Sequence, residues 1–485
     1  MKDELDLVGM LSEEEKKVER IRLRSISPND GKYAKAVDPL RQYLSEEAQW
    51  LGCAHVQYIL LETSVEFGRG TEKNVREMKE AMKKIDPLNM KLIERKVTHH
   101  DQLAVIEEIG RYVSPETKAL LHPGTTSYDI LDTARSHLYK RAWNEVMRPQ
   151  VGRVIDKICD LGETYIDVVQ VGRTHLQNTS PVIFGGEMAK YAARLAGRIE
   201  FADMVFDDLR GKVSGIVGTG AGIEMIFGND AEEFERRALE KLNLKPDKTA
   251  TQVVQKERLA DVGHALVTLD AVLADFANDM RILYSSSINE VVSRDSSRRL
   301  GGSSTDAAKD NPINYENIAG KYSIVESGMR VLYEMIRTDL QRDLRGSVQA
   351  RYEPENMMAE VYESFVRAEK VLDKLSINTD KMEENLIPVR NLPSEAMVTI
   401  LKGENFIHPE YGLPHEFVRN MSIKSKREKR KLIDVCMEDE YFKDAFGSMS
   451  ENKQRILNGE IEGYTGFARK RALENIRYAR KVINE

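Results

Sequence analysis

A long apolar stripe with helical spacing is the feature that most constrains the fold. Apolar side chains recur every three or four positions at Leu259, Val262, Leu266, Leu269, Leu273, Phe276, Met280 and Leu283. This spacing places them on one face of a long α-helix. Similar stripes run through residues 138–161, with Pro149 as the expected kink, and through residues 184–209 and 318–340. Several of these segments carry apolar residues on more than one face. The sequence therefore predicts an all-α chain with a bundle of long helices, which are buried in a broad core or against other copies of the chain.

The length of the chain and its breaks in pattern predict several domains. A chain of 485 residues exceeds what one hydrophobic core usually holds. Turn-forming residues cluster before residue 130, and the apolar pattern breaks again near residue 390. We expect an N-terminal helical domain over residues 1–121, a central long-helix bundle over 122–385 and a C-terminal helical domain over 386–485.

Composition disfavours several classes of function. The formal net charge of −7 argues against a nucleic-acid partner. No run approaches the roughly 20 apolar residues of a membrane span, and the first residues lack the pattern of a secretory signal. We therefore expect a cytoplasmic protein with no membrane partner. The nine histidines and three cysteines show no ligand spacing, so no metal site is expected.

Residues 301–316 combine a flexible start with an end suited to bind an anion. They read GGSSTDAAKDNPINYE. The two glycines lack a Cβ and tolerate unusual backbone angles. Pro312 favours the first turn of a helix, where free N–H groups and the nearby Lys309 attract negative charge. Taken alone, a solvated serine-rich turn explains this segment equally well.

Four other segments carry residue types suited to catalysis or anion binding. They are THHD at 98–101, HPGTTSYD at 122–129, VGRTHLQ at 171–177 and RDLRGSVQAR at 342–351. Each has a structural explanation when taken singly. His175 fits a core histidine, and Thr126 with Ser127 fits the cap of the helix that follows. Arg342 and Arg351 fit a solvated helix face. The joint occurrence of the segments in one chain is what favours a functional site.

Taken together and in order, these motifs resemble the fumarase/aspartase superfamily. Its signature loop GSSxMPxKxNPxxxE is similar to residues 302–316, where the GSS, lysine, asparagine, proline and glutamate are in register. Its TSSD, RTHGQ and RHD elements resemble residues 126–129, 173–177 and 99–101. Three further segments resemble the branch that acts on succinylated purine nucleotides. They are SPNDGKY at 27–33, the TQ pair at 251–252 and the arginine–serine–arginine spacing within 342–351.

The resemblance implies a fold, an assembly and a reaction. The fold is an all-α, three-domain protomer of the fumarase/aspartase type, which forms a homotetramer with active sites shared among subunits. The reaction is β-elimination of fumarate from adenylosuccinate, giving AMP, and from the succinylated carboxamide SAICAR, giving AICAR. Such a carbon–nitrogen lyase of purine nucleotide biosynthesis uses no cofactor.

The resemblance also implies roles for individual residues. Ser303 is the expected base, His175 the general acid, and Glu316 the carboxylate that polarises the histidine. The implied substrate-binding residues are Lys32, Tyr33, His99, His100, Asp101, Thr126, Ser127, Gln252, Lys309, Asn311, Asn317, Arg342, Ser347 and Arg351. Among these, Lys309, Asn311 and the Thr126–Ser127 pair are expected at the succinyl carboxylates, and the arginines at the phosphate.

The sequence departs from the superfamily pattern in the signature loop and in the RTHGQ element. Asp306-Ala307-Ala308 stands where the loop usually has Met-Pro-His/Tyr, and Asp310 follows Lys309. Asp306 and Asp310 flank Lys309, where a carboxylate at about 4 Å could oppose a dianion by roughly 4 kcal/mol at an effective dielectric of 20. Leu176 stands where the RTHGQ element has glycine. Two alternatives therefore stay open: a related carbon–nitrogen lyase acting on another N-succinyl amine such as argininosuccinate, or a catalytically silent helical oligomer.

Overall fold

The computed structural model describes residues 12–293, 305–306 and 309–485, and α-helices dominate it. The first ten helices are α1 (Glu13–Leu23), α2 (Ala34–Val37), α3 (Arg41–Leu44), α4 (Glu46–Glu66), α5 (Glu72–Ala81), α6 (Pro87–Ile93), α7 (Asp101–Gly110), α8 (Pro115–Lys118), α9 (Ser127–Ala142) and α10 (Arg148–Thr164). Helices α11 to α17 are α11 (Phe184–Asp207), α12 (Ala221–Phe227), α13 (Ala231–Glu240), α14 (Glu257–Leu283), α15 (Ile313–Ile336), α16 (Arg345–Gln349) and α17 (Glu355–Lys374). The last seven are α18 (Thr379–Asn391), α19 (Ser394–Gly403), α20 (Pro414–Glu428), α21 (Leu432–Cys436), α22 (Glu440–Ser448), α23 (Glu451–Leu457) and α24 (Ala468–Asn484).

Short strands accompany the helices in the described part of the chain. They are β1 (Val169–Thr174), β2 (Gln177–Ile183), β3 (Arg210–Gly211), β4 (Lys245–Pro246), β5 (Val291–Ser293) and β6 (Leu375–Ile377). They form three two-stranded sheets: antiparallel β1–β2, parallel β3–β4 and antiparallel β5–β6. Because these sheets are so small, the prediction of an all-α fold is confirmed.

The predicted apolar stripes coincide with long helices. The stripe at 259–283 is α14, and the stripes at 184–209 and 318–340 correspond to α11 and α15. The stripe at 138–161 is divided between α9 and α10 by a π-helical turn at Trp143–Met147. The irregularity expected at Pro149 therefore lies just before it. Pro149 itself is the second residue of α10, which directly follows the π-helical turn in a helix that continues from α9.

The chain divides into two compact units. The first unit comprises Met1–Gly152, Arg198–Ala271 and Gly320–Arg367, and the second comprises Arg153–Gly197, Val272–Ala319 and Ala368–Glu485. The core of the first unit surrounds α4 and draws buried side chains from α7, α9 and α13. A core of the second unit lies among α19 to α23, where Phe417 and Phe442 are fully buried. The predicted three-domain boundaries stay a prediction.

No helix in the described ranges combines the length and the apolar character that crossing a membrane requires.

Helices α14, α15 and α17 enclose a buried charged cluster in the first unit. Lys321 on α15 pairs with Glu360 at 2.7 Å and with Glu363 at 2.5 Å. Arg367 pairs with Glu363 at 2.5 Å. The fully buried Asp270 on α14 brings a third carboxylate to Lys321. When Asp270 is ionised, three carboxylates face two cations, and the excess negative charge is costly in a low-dielectric interior.

Burial raises the pKa of Asp270 from 3.8 to about 7, against the opposing attraction of Lys321. The folded protein therefore binds this proton more tightly than the unfolded chain does. The resulting stabilisation is fully present below about pH 4. It is lost as the pH rises through about 7.

We predict that Asp270→Asn changes the pH dependence of stability. The amide mimics the protonated carboxyl, so the variant should match the native protein near pH 4 and exceed it at pH 8 by up to about 4 kcal/mol. Melting temperatures measured from pH 4 to 8.5 test this. Asp261→Asn, at an exposed position of the same helix, is the control and should leave the profile unchanged. A constant difference between Asp270→Asn and the native protein at every pH would contradict the prediction.

Candidate active site

A cleft of about 700 Å³ lies in the first unit; we call it the first-unit cleft. Six of the residues predicted from the sequence line it: His100, Asp101, Ser127, Arg342, Ser347 and Arg351. Residues from distant parts of the chain thus meet in one concave site of the size usual for small-molecule ligands.

A buried carboxylate organises one wall of this cleft. Asp129 is fully buried and forms an ion pair with the equally buried Lys212. Its Oδ1 accepts a hydrogen bond from the backbone N–H of Ser214 at 2.9 Å, and its Oδ2 accepts from Thr126 at 2.6 Å and Gly215 at 3.1 Å. Gly215 has φ +77°, a conformation that favours glycine. One carboxylate therefore ties the start of α9 to the loop that follows β3.

The N-termini of two helices meet at the cleft. Thr126 is the N-cap residue of α9, as the capping interpretation of the sequence predicted. His100 is the N-cap residue of α7, and its Nε2 lies 3.2 Å from Ser127 Oγ. Helix N-termini carry partial positive charge, so this part of the cleft suits an anionic ligand.

Arg342 is held at the cleft by three neighbours. Its Nη1 donates to Gln252 Oε1 at 2.7 Å, and its Nη2 donates to Ser347 Oγ at 3.1 Å. The guanidinium carbon lies 4.0 Å from the centre of the Tyr128 ring. A guanidinium has five N–H donors. The other three have no acceptor within the described ranges, so they are available to an anion such as phosphate.

Two of the predicted binding residues lie in another part of the first unit. The Tyr33 ring faces Lys321 Nζ at 4.4 Å and Arg367 at 5.4 Å, within the buried charged cluster. Lys32 is exposed, and neither residue lines the first-unit cleft. His99 is exposed beside His100 and has φ +50°. The binding roles of these residues stay predictions.

His175 lies at the tip of the β1–β2 hairpin in the second unit. Thr174 pairs with Gln177, which leaves His175 and Leu176 as a two-residue turn. The hairpin is anchored by Arg173, whose side chain donates two hydrogen bonds, of 2.6 and 3.0 Å, to the fully buried Glu290 carboxylate. His175 is therefore presented to solvent on a rigid support and is not the core histidine that the alternative interpretation expected.

The conformation of this turn shows what it costs to have leucine instead of glycine at position 176. His175 and Leu176 have φ of +54° and +59°. A two-residue hairpin turn of this kind requires positive φ at both positions, which glycine adopts without cost. A leucine in this conformation costs roughly 1–2 kcal/mol. The glycine of the RTHGQ element would suit this turn, so Leu176 introduces strain next to His175.

A second set of predicted site residues lies just before α15 and in its first turns. Lys309, Asn311, Glu316 and Asn317 lie there, with Glu316 exposed in the first helical turn. The Asp310 carboxylate accepts a hydrogen bond from Tyr284, and burial raises the pKa of that tyrosine, which stays protonated. Asp310 thus has a partner of its own beside Lys309.

Two of the three predicted catalytic residues, His175 and Glu316, lie within the described ranges. Ser303 lies outside the described residues. Across the described ranges, neither His175 nor Glu316 makes a side-chain hydrogen bond, so their expected pairing and the catalytic roles stay predictions.

Sequence motifs missed three residues of the first-unit cleft and its support. Tyr128 and Asp129 belong to the TSYD segment but received no role, and Lys212 was not singled out. The tyrosine where the motif has serine was the one available signal for Tyr128. No such signal existed for Lys212, because the sequence does not show whether a lysine is buried.

Comparison with known proteins identifies the family. The profile of a protein family described as lyase matches residues 35–326, more than half of the chain. The chain belongs to this lyase family. The prediction of a carbon–nitrogen lyase of the fumarase/aspartase type is confirmed.

Two relatives of this lyase match almost its full length, and a third matches 70% of it. It is 27% identical to the adenylosuccinate lyase of Archaeoglobus fulgidus over 464 residues, which cover 94% of this chain and 99% of that protein. It is 29% identical to the adenylosuccinate lyase of Pyrococcus abyssi, with 93% and 97% covered. The adenylosuccinate lyase of Bacillus subtilis is 27% identical over 70% of this chain and 77% of its own length.

Solved structures share the fold of this lyase. A fumarate lyase from a Mesorhizobium species superposes with a TM-score of 0.76 at 21% identity and covers 91% of this chain and 97% of its own. The 3-carboxy-cis,cis-muconate lactonizing enzyme from Pseudomonas putida also gives 0.76, at 19% identity, with 92% and 97% covered. At these identities the likeness concerns the fold alone.

We predict that Asp129→Asn destabilises the lyase strongly. Removing one charge of a buried pair leaves Lys212 uncompensated, which should cost about 3–5 kcal/mol. Thermal and urea unfolding measure the loss, and the double variant Asp129→Asn with Lys212→Met should recover part of it. Asp275→Asn, which breaks an exposed pair with Arg194, is the control and should cost less than about 1 kcal/mol. Equal losses in Asp129→Asn and Asp275→Asn would disprove the anchoring role.

Proposed function

We propose that this lyase is an adenylosuccinate lyase, which eliminates fumarate from adenylosuccinate and releases AMP. The observation that carries the proposal is the first-unit cleft, where Arg342 lies near two helix N-termini. Three of its N–H donors have no acceptor among the described residues. The substrate has anionic groups at both ends, a phosphate and a succinyl dicarboxylate. The near full-length similarity to adenylosuccinate lyases supports this substrate over other succinylated amines.

The cleft geometry supports binding of the nucleotide end of the substrate. Arg342 offers three N–H donors to the phosphate, while Ser347 and Gln252 hold its other two. Arg351 lines the same cleft and adds a second positive charge. Arginine binds phosphate through paired N–H donors, so two arginines suit a phosphate monoester.

The elimination itself needs a base, an acid and a place for negative charge. In our proposal Ser303 removes a proton from the succinyl carbon beside a carboxylate. The electron pair then leaves with the nitrogen as the C–N bond breaks, and His175 protonates that nitrogen. Lys309 and Asn311 would stabilise the dianion that forms between these steps. Glu316 would orient His175 in the assembled site.

The same chemistry extends to SAICAR, which carries a succinylated nitrogen and a phosphate. Both substrates present the groups that the proposed site binds, so we include SAICAR cleavage in the proposal. The proposal also places the reaction in the cytoplasm.

We further propose that the lyase assembles as a homotetramer with shared active sites. Large apolar side chains stay exposed on the long helices of one chain, with 60% of Met204, 48% of Ile324 and 55% of Tyr333 accessible. Apolar surface of this kind along bundle helices is typical of subunit contacts. A shared site also accounts for His175 and Glu316 lacking side-chain partners within the described part of one chain.

We predict that the purified protein converts adenylosuccinate to AMP and fumarate. His175→Ala should lower kcat by about 10² to 10⁴, since general acid catalysis contributes on this scale. Arg342→Gln should mainly raise KM, because the arginine binds a part of the substrate that does not react. Absorbance of the purine and release of fumarate measure turnover.

His415→Ala is the matched control, because His415 is exposed on α20 beside Glu416. It should keep full activity. A panel containing adenylosuccinate, SAICAR and argininosuccinate separates the alternatives. Turnover of argininosuccinate alone would replace the proposed substrate, and no turnover of any of them would favour the silent oligomer.

We predict that Ile324→Glu weakens the tetramer and lowers activity together. A charge placed within an apolar subunit contact stays unpaired and costs several kcal/mol. Light scattering after size exclusion should show about four times the 55.2 kDa of one chain for the native protein and less for the variant. Ile423→Glu, on an exposed position of α20, should leave the mass unchanged. A native protein that runs as an active monomer would contradict the assembly.

A further inference from the structure

We propose that Tyr128 is a positioning residue that holds Arg342 ready for the phosphate and so makes the site selective for phosphorylated ligands. This inference rests on the proposed function, because the ligand it concerns is the nucleotide phosphate. Tyr128 was not among the residues that the family motifs single out.

Tyr128 contacts Arg342 both directly and through Ser347. Its ring lies under the guanidinium at 4.0 Å, a distance typical of a strong cation–π contact. Its hydroxyl forms a hydrogen bond with Ser347 Oγ. Ser347 Oγ also accepts a hydrogen bond from Arg342 Nη2 at 3.1 Å. Two contacts of different kinds thus restrain one arginine side chain.

The contact with the ring leaves the donors of Arg342 free. A cation–π contact uses the flat face of the guanidinium, whereas hydrogen bonds lie in its plane. Among the residues that the structure describes, only Gln252 and Ser347 accept hydrogen bonds from Arg342. The ring therefore fixes the orientation of the arginine without competing with a phosphate for its donors.

Tyr128 itself is held in place by its neighbours. Only 7% of its surface is exposed. Ser127 on one side bonds His100, and Asp129 on the other side forms the buried ion pair with Lys212. The backbone of Tyr128 is therefore fixed at both ends, which lets its ring act as a rigid support.

The contact is a property of the tyrosine in this chain. The TSSD element has serine at this position, and serine has no ring to place under a guanidinium. A free arginine side chain loses rotamer freedom when it binds a ligand, and that loss weakens binding. Holding Arg342 in its binding orientation before the phosphate arrives reduces this loss.

Inhibition by AMP and by adenosine separates positioning from general folding. The two ligands differ only by the phosphate. Tyr128→Phe, which keeps the ring, should raise KM for adenylosuccinate and Ki for AMP by about 2- to 10-fold. Tyr128→Ser, which removes ring and hydroxyl contact, should raise both by about 10- to 100-fold. Ki for adenosine should change less than about twofold in both, and kcat less than about threefold.

A matched control comes from another tyrosine of the first unit. Tyr43 is buried, its ring lies 5.2 Å from the Arg141 guanidinium, and its hydroxyl donates to Glu145 at 2.6 Å. It does not line the first-unit cleft. Tyr43→Phe therefore removes a comparable hydroxyl contact elsewhere, and it should leave both inhibition constants unchanged.

A double-variant cycle tests whether Tyr128 acts through Arg342. In an Arg342→Gln background, Tyr128→Ser should raise Ki for AMP by less than about twofold, because the residue that it positions is gone. Melting temperatures confirm folding, and Tyr128→Phe supplies the test if the serine variant does not fold.

The possible outcomes distinguish this inference from the proposed function. If the native protein cleaves adenylosuccinate and binds AMP, but the Tyr128 variants weaken AMP and adenosine equally, Tyr128 has only a structural role and the inference is wrong. Unchanged AMP inhibition in Tyr128→Phe and Tyr128→Ser would also overturn it. If the native protein neither cleaves adenylosuccinate nor binds AMP, the proposed function itself fails.

Discussion

The arrangement of the first-unit cleft depends on one buried carboxylate. The Asp129 side chain is fully buried. Its negative charge is compensated by Lys212 and by backbone N–H groups at the start of α9 and in the loop after β3. Because an unpaired buried charge is so costly, these partners cannot separate without a large loss of stability. The segment between Thr126 and Asp129 is therefore rigid. That rigidity places Ser127 beside His100 and Tyr128 under Arg342.

Much of the fold could be predicted from the sequence, since helical periodicity is a local signal. The stripes at α11, α14 and α15 needed only the spacing of apolar residues. The β1–β2 hairpin could not be predicted, because its turn is His175–Leu176 and lacks the glycine or asparagine that marks such turns. The π-helical turn before Pro149 was also missed. No local composition distinguishes it from an ordinary helix.

The candidate site was predictable only in part, because local motifs can be read from a sequence and long-range contacts cannot. The spacing within RDLRGSVQAR indicated Arg342, Ser347 and Arg351, and the structure brings all three to one cleft. Tyr33 came from the same kind of motif but lies against Lys321 in the buried charged cluster. The pairing of Asp129 with Lys212 joins residues far apart in the chain. Such long-range contacts between ordinary charged residues leave no mark in a single sequence.

We propose that the first-unit cleft binds the phosphate of a purine nucleotide through an arginine that is already in position. A crystal structure of the protein with AMP tests it most directly. We expect the phosphate within hydrogen-bonding distance of Arg342, with the guanidinium still stacked on the Tyr128 ring and bonded to Gln252. AMP bound away from this cleft, or an Arg342 that must leave Tyr128 to reach the phosphate, would contradict it.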